Sequence, residues 1–153
     1  MERSLILLKP DCLQRGLIGK VITRFEEKGL KIAGMKMAVF DGPTCDEHYS
    51  HLTDKPFFQN LKKFILSSPV VCIVVEGKDA VDVVRKMCGV TNSREAEPGT
   101  IRGDFSMSLQ CNIVHASDSK ERAEKEIGIF FKKDEIFSYG LVLGNVLYSP
   151  DEK

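Results

Sequence analysis

The sequence lacks most of what would mark a membrane, secreted or nucleic-acid-coating protein. Net charge is missing, because 22 Lys and Arg are matched by 22 Asp and Glu. No overall basic surface is left to neutralise a duplex backbone, so no nucleic acid is an obligatory partner. A local basic pocket stays open. No apolar run approaches the roughly 20 residues that a membrane helix needs, and no membrane association is expected. The N-terminus supplies only the short apolar run Leu5 to Leu8 before Lys9-Pro10-Asp11. A secretory h-region is about twice that length, so no cleavable presequence is expected. Five cysteines, Cys12, Cys45, Cys72, Cys88 and Cys111, form an odd set without a C-x-x-C pair, which points to reduced thiols and a cytoplasmic setting. Internal repeats and low-complexity tracts are also missing. What remains is 153 residues, 42% apolar and 29% charged. That is material for a single domain over 1–153 with a sizeable core.

Punctuation and periodicity divide the chain into alternating elements. Ser4 to Leu8 is a short apolar run closed by Pro10, as in a buried strand. Ile18, Val21, Ile22 and Phe25 repeat at helical spacing up to Gly29, a C-cap glycine. Lys31 to Val39 alternates weakly around Gly34 and predicts a second strand. Two helical patterns follow, one over Pro43 to Leu52 and one through Phe57, Phe58, Leu61, Phe64 and Ile65, ended by Pro69. Val70 to Val75 is apolar throughout and mostly β-branched, the clearest strand in the chain. Ala80, Val83, Val84 and Met87 predict a helix ending at Gly89. Gly89 to Gly103 has no period and little apolar content, and a loop of that length is often functional. Phe105, Met107, Leu109, Cys111 and Ile113 then alternate with period two, which by pattern alone predicts a strand reaching toward His115. Asp118 and Ser119 offer N-cap chemistry to a helix with Ala123, Ile127 and Phe130 on one face. The tail from Asp134 is mixed. This order predicts an α/β sandwich, one sheet covered by helices.

Several motifs invite chemistry and fail. Gly16-Leu17-Ile18-Gly19-Lys20 has two residues between its glycines and Val21 after the lysine, where a P-loop needs four and a Ser or Thr. His48, His51 and Glu47 do not make H-E-x-x-H, and the pattern predicts a solvated helix face instead of a metal site. Lys62-Lys63 and Lys132-Lys133 are too short for nucleic-acid patches. The segment Asn112 to Ser119 differs. It places His115 at a strand-to-helix junction, where side chains face clefts and unpaired N–H groups attract anions. Glu124 and Glu126 on the following helix offer a carboxylate to one ring nitrogen, and neutral imidazole is nucleophilic without further activation. Lys9, Arg85 and Arg102 would make an anion site if they converged, which spacing alone does not reveal.

Asn112-Ile113-Val114-His115-Ala116-Ser117-Asp118 resembles the signature Asn-x-x-His-(Gly or Ala)-Ser-Asp of the nucleoside diphosphate kinases. The likeness continues through Lys9-Pro10-Asp11, Gln14-Arg15-Gly16, Arg24-Phe25-Glu26, Glu47-His48-Tyr49, Pro56-Phe57-Phe58, Gly77, Thr91-Asn92, Pro98 to Phe105 and Ala123 to Ile127, in order and spacing. The resemblance implies a ferredoxin-like βαββαβ core with an antiparallel four-stranded sheet covered by helices. It also implies a helical turn over Thr100 to Phe105, with the last strand beginning nearer Asn112. The implied activity is reversible ping-pong transfer of a γ-phosphate between nucleoside tri- and diphosphates, ATP and GTP among them, with little base specificity. His115 would be the phosphohistidine nucleophile. Lys9 and Asn112 would hold the ribose hydroxyls, with Lys9 reaching the phosphates too. Arg85, Thr91 and Arg102 would hold the phosphates, and Tyr49 would line the site. Phe57, Leu61 and Leu109 would enclose the base, and Ser117 and Glu126 would fix His115. Mg²⁺ would arrive on the nucleotide with no protein ligands. A homo-oligomer is implied, a hexamer before a tetramer, with Leu141, Val142, Leu143, Val146 and Leu147 as apolar material in the tail.

Some positions depart from the family pattern. Lys55 replaces the usual Arg before Pro56, Cys111 the usual basic residue, and Val90 the usual Glu. Val75 and Val146 stand where tryptophans are common. None of these is assigned to chemistry. Two rival readings are an inactive relative acting as a scaffold and a ferredoxin-like effector-binding domain. Intact Lys9, Arg85, Arg102, Asn112 and His115 weigh against the first, and the Asn112–His115 spacing against the second.

Overall fold

A computed structural model describes residues 1–142 and 144–152. Four strands, β1 (Glu2–Leu8), β2 (Lys31–Ala38), β3 (Val70–Gly77) and β4 (Val114–Ala116), form one sheet in the order β2-β3-β1-β4 with every pairing antiparallel. Helices α1 (Pro10–Gln14), α2 (Ile18–Glu27), α3 (Gly42–His48), α4 (Phe58–Ile65), α5 (Ala80–Cys88), α6 (Ile101–Phe105), α7 (Lys120–Phe130) and α8 (Gly144–Leu147) connect and cover it. This is the antiparallel ferredoxin-like core that the resemblance implied.

The two central strands are apolar on both faces because both faces are covered. Ile6, Leu8, Val71, Ile73 and Val75 pack with Val21 and Phe25 of α2 and Val84 of α5. Leu5, Leu7, Cys72 and Val74 pack on the other face with Cys45, Leu61, Ile65 and Phe130 from α3, α4 and α7. The soft centre read at Gly34 has a cause. The β2–β3 register shifts between Ile32 and Gly34, and a Cβ on Gly34 would stand 2.8 Å from the Glu135 carbonyl oxygen. The segment after α7 crosses this bulge too closely for any side chain.

One pattern misled. Phe105 to Ile113 is not a strand: α6 ends at Phe105, and β4 starts only at Val114, two residues beyond Asn112. Met107 and Leu109 face solvent, so their alternation reflects no buried face. Serine side chains take the place of a ladder there. Ser106 Oγ donates to the Cys111 carbonyl at 2.8 Å, and Ser108 Oγ accepts from Gln110 N and Cys111 N at 3.2 and 3.1 Å, the usual competition of hydroxyls with secondary structure. The helix α1 was invisible because a single turn carries no period. His48 also corrects its reading: it is buried at 2% exposure, whereas His51 is exposed.

Candidate active site

The site is assembled where β1 and β4 meet. Leu7 pairs with His115, so the two side chains share the sheet face covered by α3, α4 and α7. Lys9 follows β1 directly, and its N–H donates to the Ile113 carbonyl at 2.8 Å. Ile113 has φ 71°, a left-handed backbone that is an outlier for a β-branched residue. It is held there by complete burial and by a 2.9 Å bond from its N–H to Asp11 Oδ2. That bend turns the chain from the loop into β4 and aims Asn112 and His115 from adjoining positions.

A cavity of about 570 Å³ opens beside them, within the usual range for small-ligand sites. Lys9, Tyr49, Phe57, Leu61, Arg85, Thr91, Arg102, Leu109, Asn112 and His115 all line it. The other two residues singled out from sequence, Ser117 and Glu126, lie behind His115. The cations separated in sequence therefore converge, which spacing could not establish. Asn112 acts as a strap. Its Nδ2 donates to the carbonyls of Thr91 and Leu109, each at 2.9 Å, while Oδ1 accepts from Lys9 Nζ at 2.6 Å. One lone pair of Oδ1 is left for a ligand hydroxyl. Arg102 is held by the carbonyls of Gly89 and Val114, both at 2.6 Å. Gly89 can offer that carbonyl because it sits at φ 79° and a Cβ would stand 2.5 Å from Thr100 Oγ1.

Behind His115, Glu126 is buried at 2% exposure. It accepts from Ser117 Oγ at 2.6 Å, from Arg122 Nη2 at 3.1 Å and from His115 Nε2 at 3.3 Å. An ionised carboxylate only accepts, so the His115 ring carries its proton on Nε2 and leaves the Nδ1 lone pair free. Burial pushes Glu126 up, but the bonds from His115 and Ser117 outweigh it and hold the carboxyl at about 2. Lys9 is pushed down to about 8, first by burial and then by the Arg102 guanidinium. Burial pushes the Tyr49 hydroxyl well above its ordinary value. Arg122, His51 and Asp118 also line the cavity and were missed by the sequence reading. Arg122 Nη1 donates to His51 Nδ1 at 3.2 Å. The i, i+4 spacing of Asp118, Arg122 and Glu126 was the available signal.

An imidazole with one nitrogen fixed by a carboxylate, lining a cavity together with Lys9, Arg85 and Arg102, defines a histidine-centred site for phosphate chemistry. Comparison gives the family. The profile described as "Nucleoside diphosphate kinase" matches residues 2–136. The nucleoside diphosphate kinase of Parabacteroides distasonis is 56% identical over 152 residues, 99% of each chain. That of Pyrococcus abyssi is 54% identical over 141 residues, covering 90% of this chain and 89% of its own. The solved structure of a halophilic nucleoside diphosphate kinase from Halobacterium salinarum in complex with CDP superposes with a TM-score of 0.94 at 43% identity, over 97% of this chain and 99% of that one. This chain belongs to the nucleoside diphosphate kinase family. Its activity is phosphoryl transfer from ATP to nucleoside diphosphates.

Proposed function

We propose that Nδ1 of His115 carries the phosphoryl group between the two nucleotides in a ping-pong cycle. The observation that supports this most directly is the hold of Glu126 on Nε2, with Nδ1 left free beside the cavity. The Nδ1 lone pair attacks the γ-phosphorus, and the β,γ-bridging oxygen leaves with the nucleoside diphosphate. Positive charge that develops on the ring is met by Glu126 through Nε2–H. A β-phosphate oxygen of the second nucleotide then attacks the same phosphorus and returns the electron pair to Nδ1. A phosphoramidate suits a nearly thermoneutral exchange because it is energy-rich and reversible, as a serine phosphoester would not be. Lys9, Arg85 and Arg102 balance the charge spread over the equatorial oxygens, and Thr91 adds a neutral donor. Tyr49 walls the site beside His115, their ring centroids 6.1 Å apart, and Ser117 keeps Glu126 in place.

Asp118 is the only carboxylate among the cavity's described lining residues, and it already faces Arg122 at 3.5 Å. The cavity therefore offers no oxygen cage, and Mg²⁺ enters as part of the MgNTP substrate. Phe57 and Leu109, both about half exposed, flank the mouth with Leu61 beneath. Stacking there tolerates any base, and Lys9 with Asn112 reads the sugar hydroxyls. The CDP bound by the Halobacterium relative agrees with a nucleoside diphosphate as ligand. The working form is a homo-oligomer in the cytoplasm, a hexamer before a tetramer.

Incubation with γ-labelled ATP should place acid-labile, base-stable label on the protein. His115→Ala should carry none and lose transfer while keeping the fold. Near-normal turnover by His115→Ala would rule the mechanism out.

A further inference from the structure

His48 is the buried polar group that the phosphoryl cycle leaves unused. Its side chain, in the last turn of α3, is closed to solvent. It stands edge to face with Tyr49, His115, Phe130 and Phe40 at centroid separations of 4.4, 4.6, 5.3 and 6.1 Å. Neither Nδ1 nor Nε2 has a hydrogen-bond partner. A phenyl ring would fill the same slot without two orphaned polar atoms. One of those atoms, Nδ1, lies 3.9 Å from Glu126 Oε1, and the same carboxylate lies 3.3 Å from His115 Nε2. One donor atom from each of His48, His115 and Glu126 falls within 4.8 Å of the others. Tetrahedral zinc, with bonds of about 2.0–2.2 Å, sets its ligand atoms roughly 3.3–3.6 Å apart. The His115–Glu126 pair already has that spacing, and His48 has only a short distance to close.

We infer that His48, His115 and Glu126 form a three-ligand site for a borderline divalent ion of the Zn²⁺ type, seated behind the nucleophile and distinct from the Mg²⁺ of the substrate. Two imidazoles and a carboxylate suit such an ion, whereas Mg²⁺ demands octahedral oxygen. Neither His48 nor Glu126 lines the nucleotide cavity, so the ion and the nucleotide approach His115 from different sides. Glu126 Oε1 must release Arg122, which keeps His51 and Asp118 as partners, while Ser117 stays on Oε2.

The consequence follows from counting one proton. In the metal-free ring the proton sits on Nε2 and the lone pair on Nδ1. An ion at Nε2 needs that lone pair, so the proton moves to Nδ1, with no net release. The ring then presents N–H to the γ-phosphate where it had presented a lone pair. This step rests on Nδ1 as the acceptor, and it makes the ion an inhibitor that lowers kcat and leaves KM for MgATP unchanged.

The test uses the full-length enzyme without nucleotide, titrated with Co²⁺ as an absorbing probe and then with Zn²⁺ in competition. His48→Phe and His115→Ala each remove a ligand, so each should weaken binding by more than the roughly 10–100-fold that loss of an outer partner costs. Nitrogen-15 spectra of the wild-type protein should show the His115 proton pass from Nε2 to Nδ1 as Zn²⁺ is added. That reading needs no variant to fold. Equal Co²⁺ affinity in wild type and His48→Phe, or an unchanged His115 tautomer at saturating Zn²⁺, would overturn the inference. Labelling by ATP in the metal-free enzyme is scored separately. Label without Zn²⁺ binding defeats this inference alone, and Zn²⁺ binding without label defeats the phosphohistidine reading.

Discussion

Lys9 and His48 are both buried titratable groups, and each makes the protein respond to pH in its own direction. Lys9 in the empty cavity titrates at about 8 instead of 10.5. A bound polyphosphate favours its charged form, so above pH 8 binding must bring a proton in. Nucleotide affinity should then fall by up to about tenfold per pH unit between roughly 8 and 10. Calorimetry in two buffers of different ionisation enthalpy would show the uptake, and a pH-independent affinity would contradict it. The empty protein behaves oppositely. The unfolded chain holds the Lys9 proton through that window and the folded one does not, so Lys9 makes unfolding costlier as pH rises from 8 to 10.5. His48 is pushed down to about 2, mainly by burial and then by the neighbouring His115. The unfolded chain protonates it below about 6.5 while the folded one does not, so its contribution is complete above that pH and lost as pH falls. His48→Phe should flatten the acid limb of stability by up to about 1.4 kcal/mol per unit between pH 6.5 and 4.5. Urea unfolding at a series of pH values measures this, above the range where Glu126 titrates.

Helix α6 is only five residues long, yet it carries Arg102. Thr100 caps it, with Oγ1 accepting from Gly103 N at 3.1 Å and donating to the Glu97 carbonyl at 2.7 Å. Thr100→Ala should cost about 1 kcal/mol of stability. It should also raise KM for MgATP more than it lowers kcat, because Arg102 loses its mount before His115 does. Thermal unfolding and steady-state kinetics on one preparation check both parts. Legibility in the sequence varied along the same lines. Helices of nine or more residues with one buried face, α2, α5 and α7, were readable from period alone, and β3, buried on both faces, from its unbroken apolar run. The single-turn helices α1 and α6 and the three-residue β4 were not, since one turn or one ladder rung leaves no period. His115 was legible as a residue at a strand-to-helix junction. The company it keeps was not, because Lys9 and Arg102 reach it through tertiary folding, and only the likeness to a known family placed them together beforehand. His48 was misread since its burial is made by Phe40 and Phe130, neither of which lies on its own helix.

At the scale of the whole molecule, apolar surface is left over. Met35, Met37 and Val39 are exposed along and just beyond edge strand β2, and Phe137, Leu141, Val142, Val146 and Leu147 along the tail. Leu143, named with them from sequence, lies outside the described residues. The second half of an edge strand and several apolar tail residues, left exposed together, are features of a chain that buries them against copies of itself. Light scattering at micromolar concentration should give a mass near six chains, and a monomer would contradict the oligomer. The sheet order has a consequence for synthesis as well. The bond from Lys9 to Asn112 spans 103 residues, because the first strand and the last lie side by side. At about 5–20 residues per second, the ribosome releases the two halves of the pocket many seconds apart. A nascent chain stalled anywhere before β4 has Lys9 but not His115. The pocket is therefore completed late and all at once.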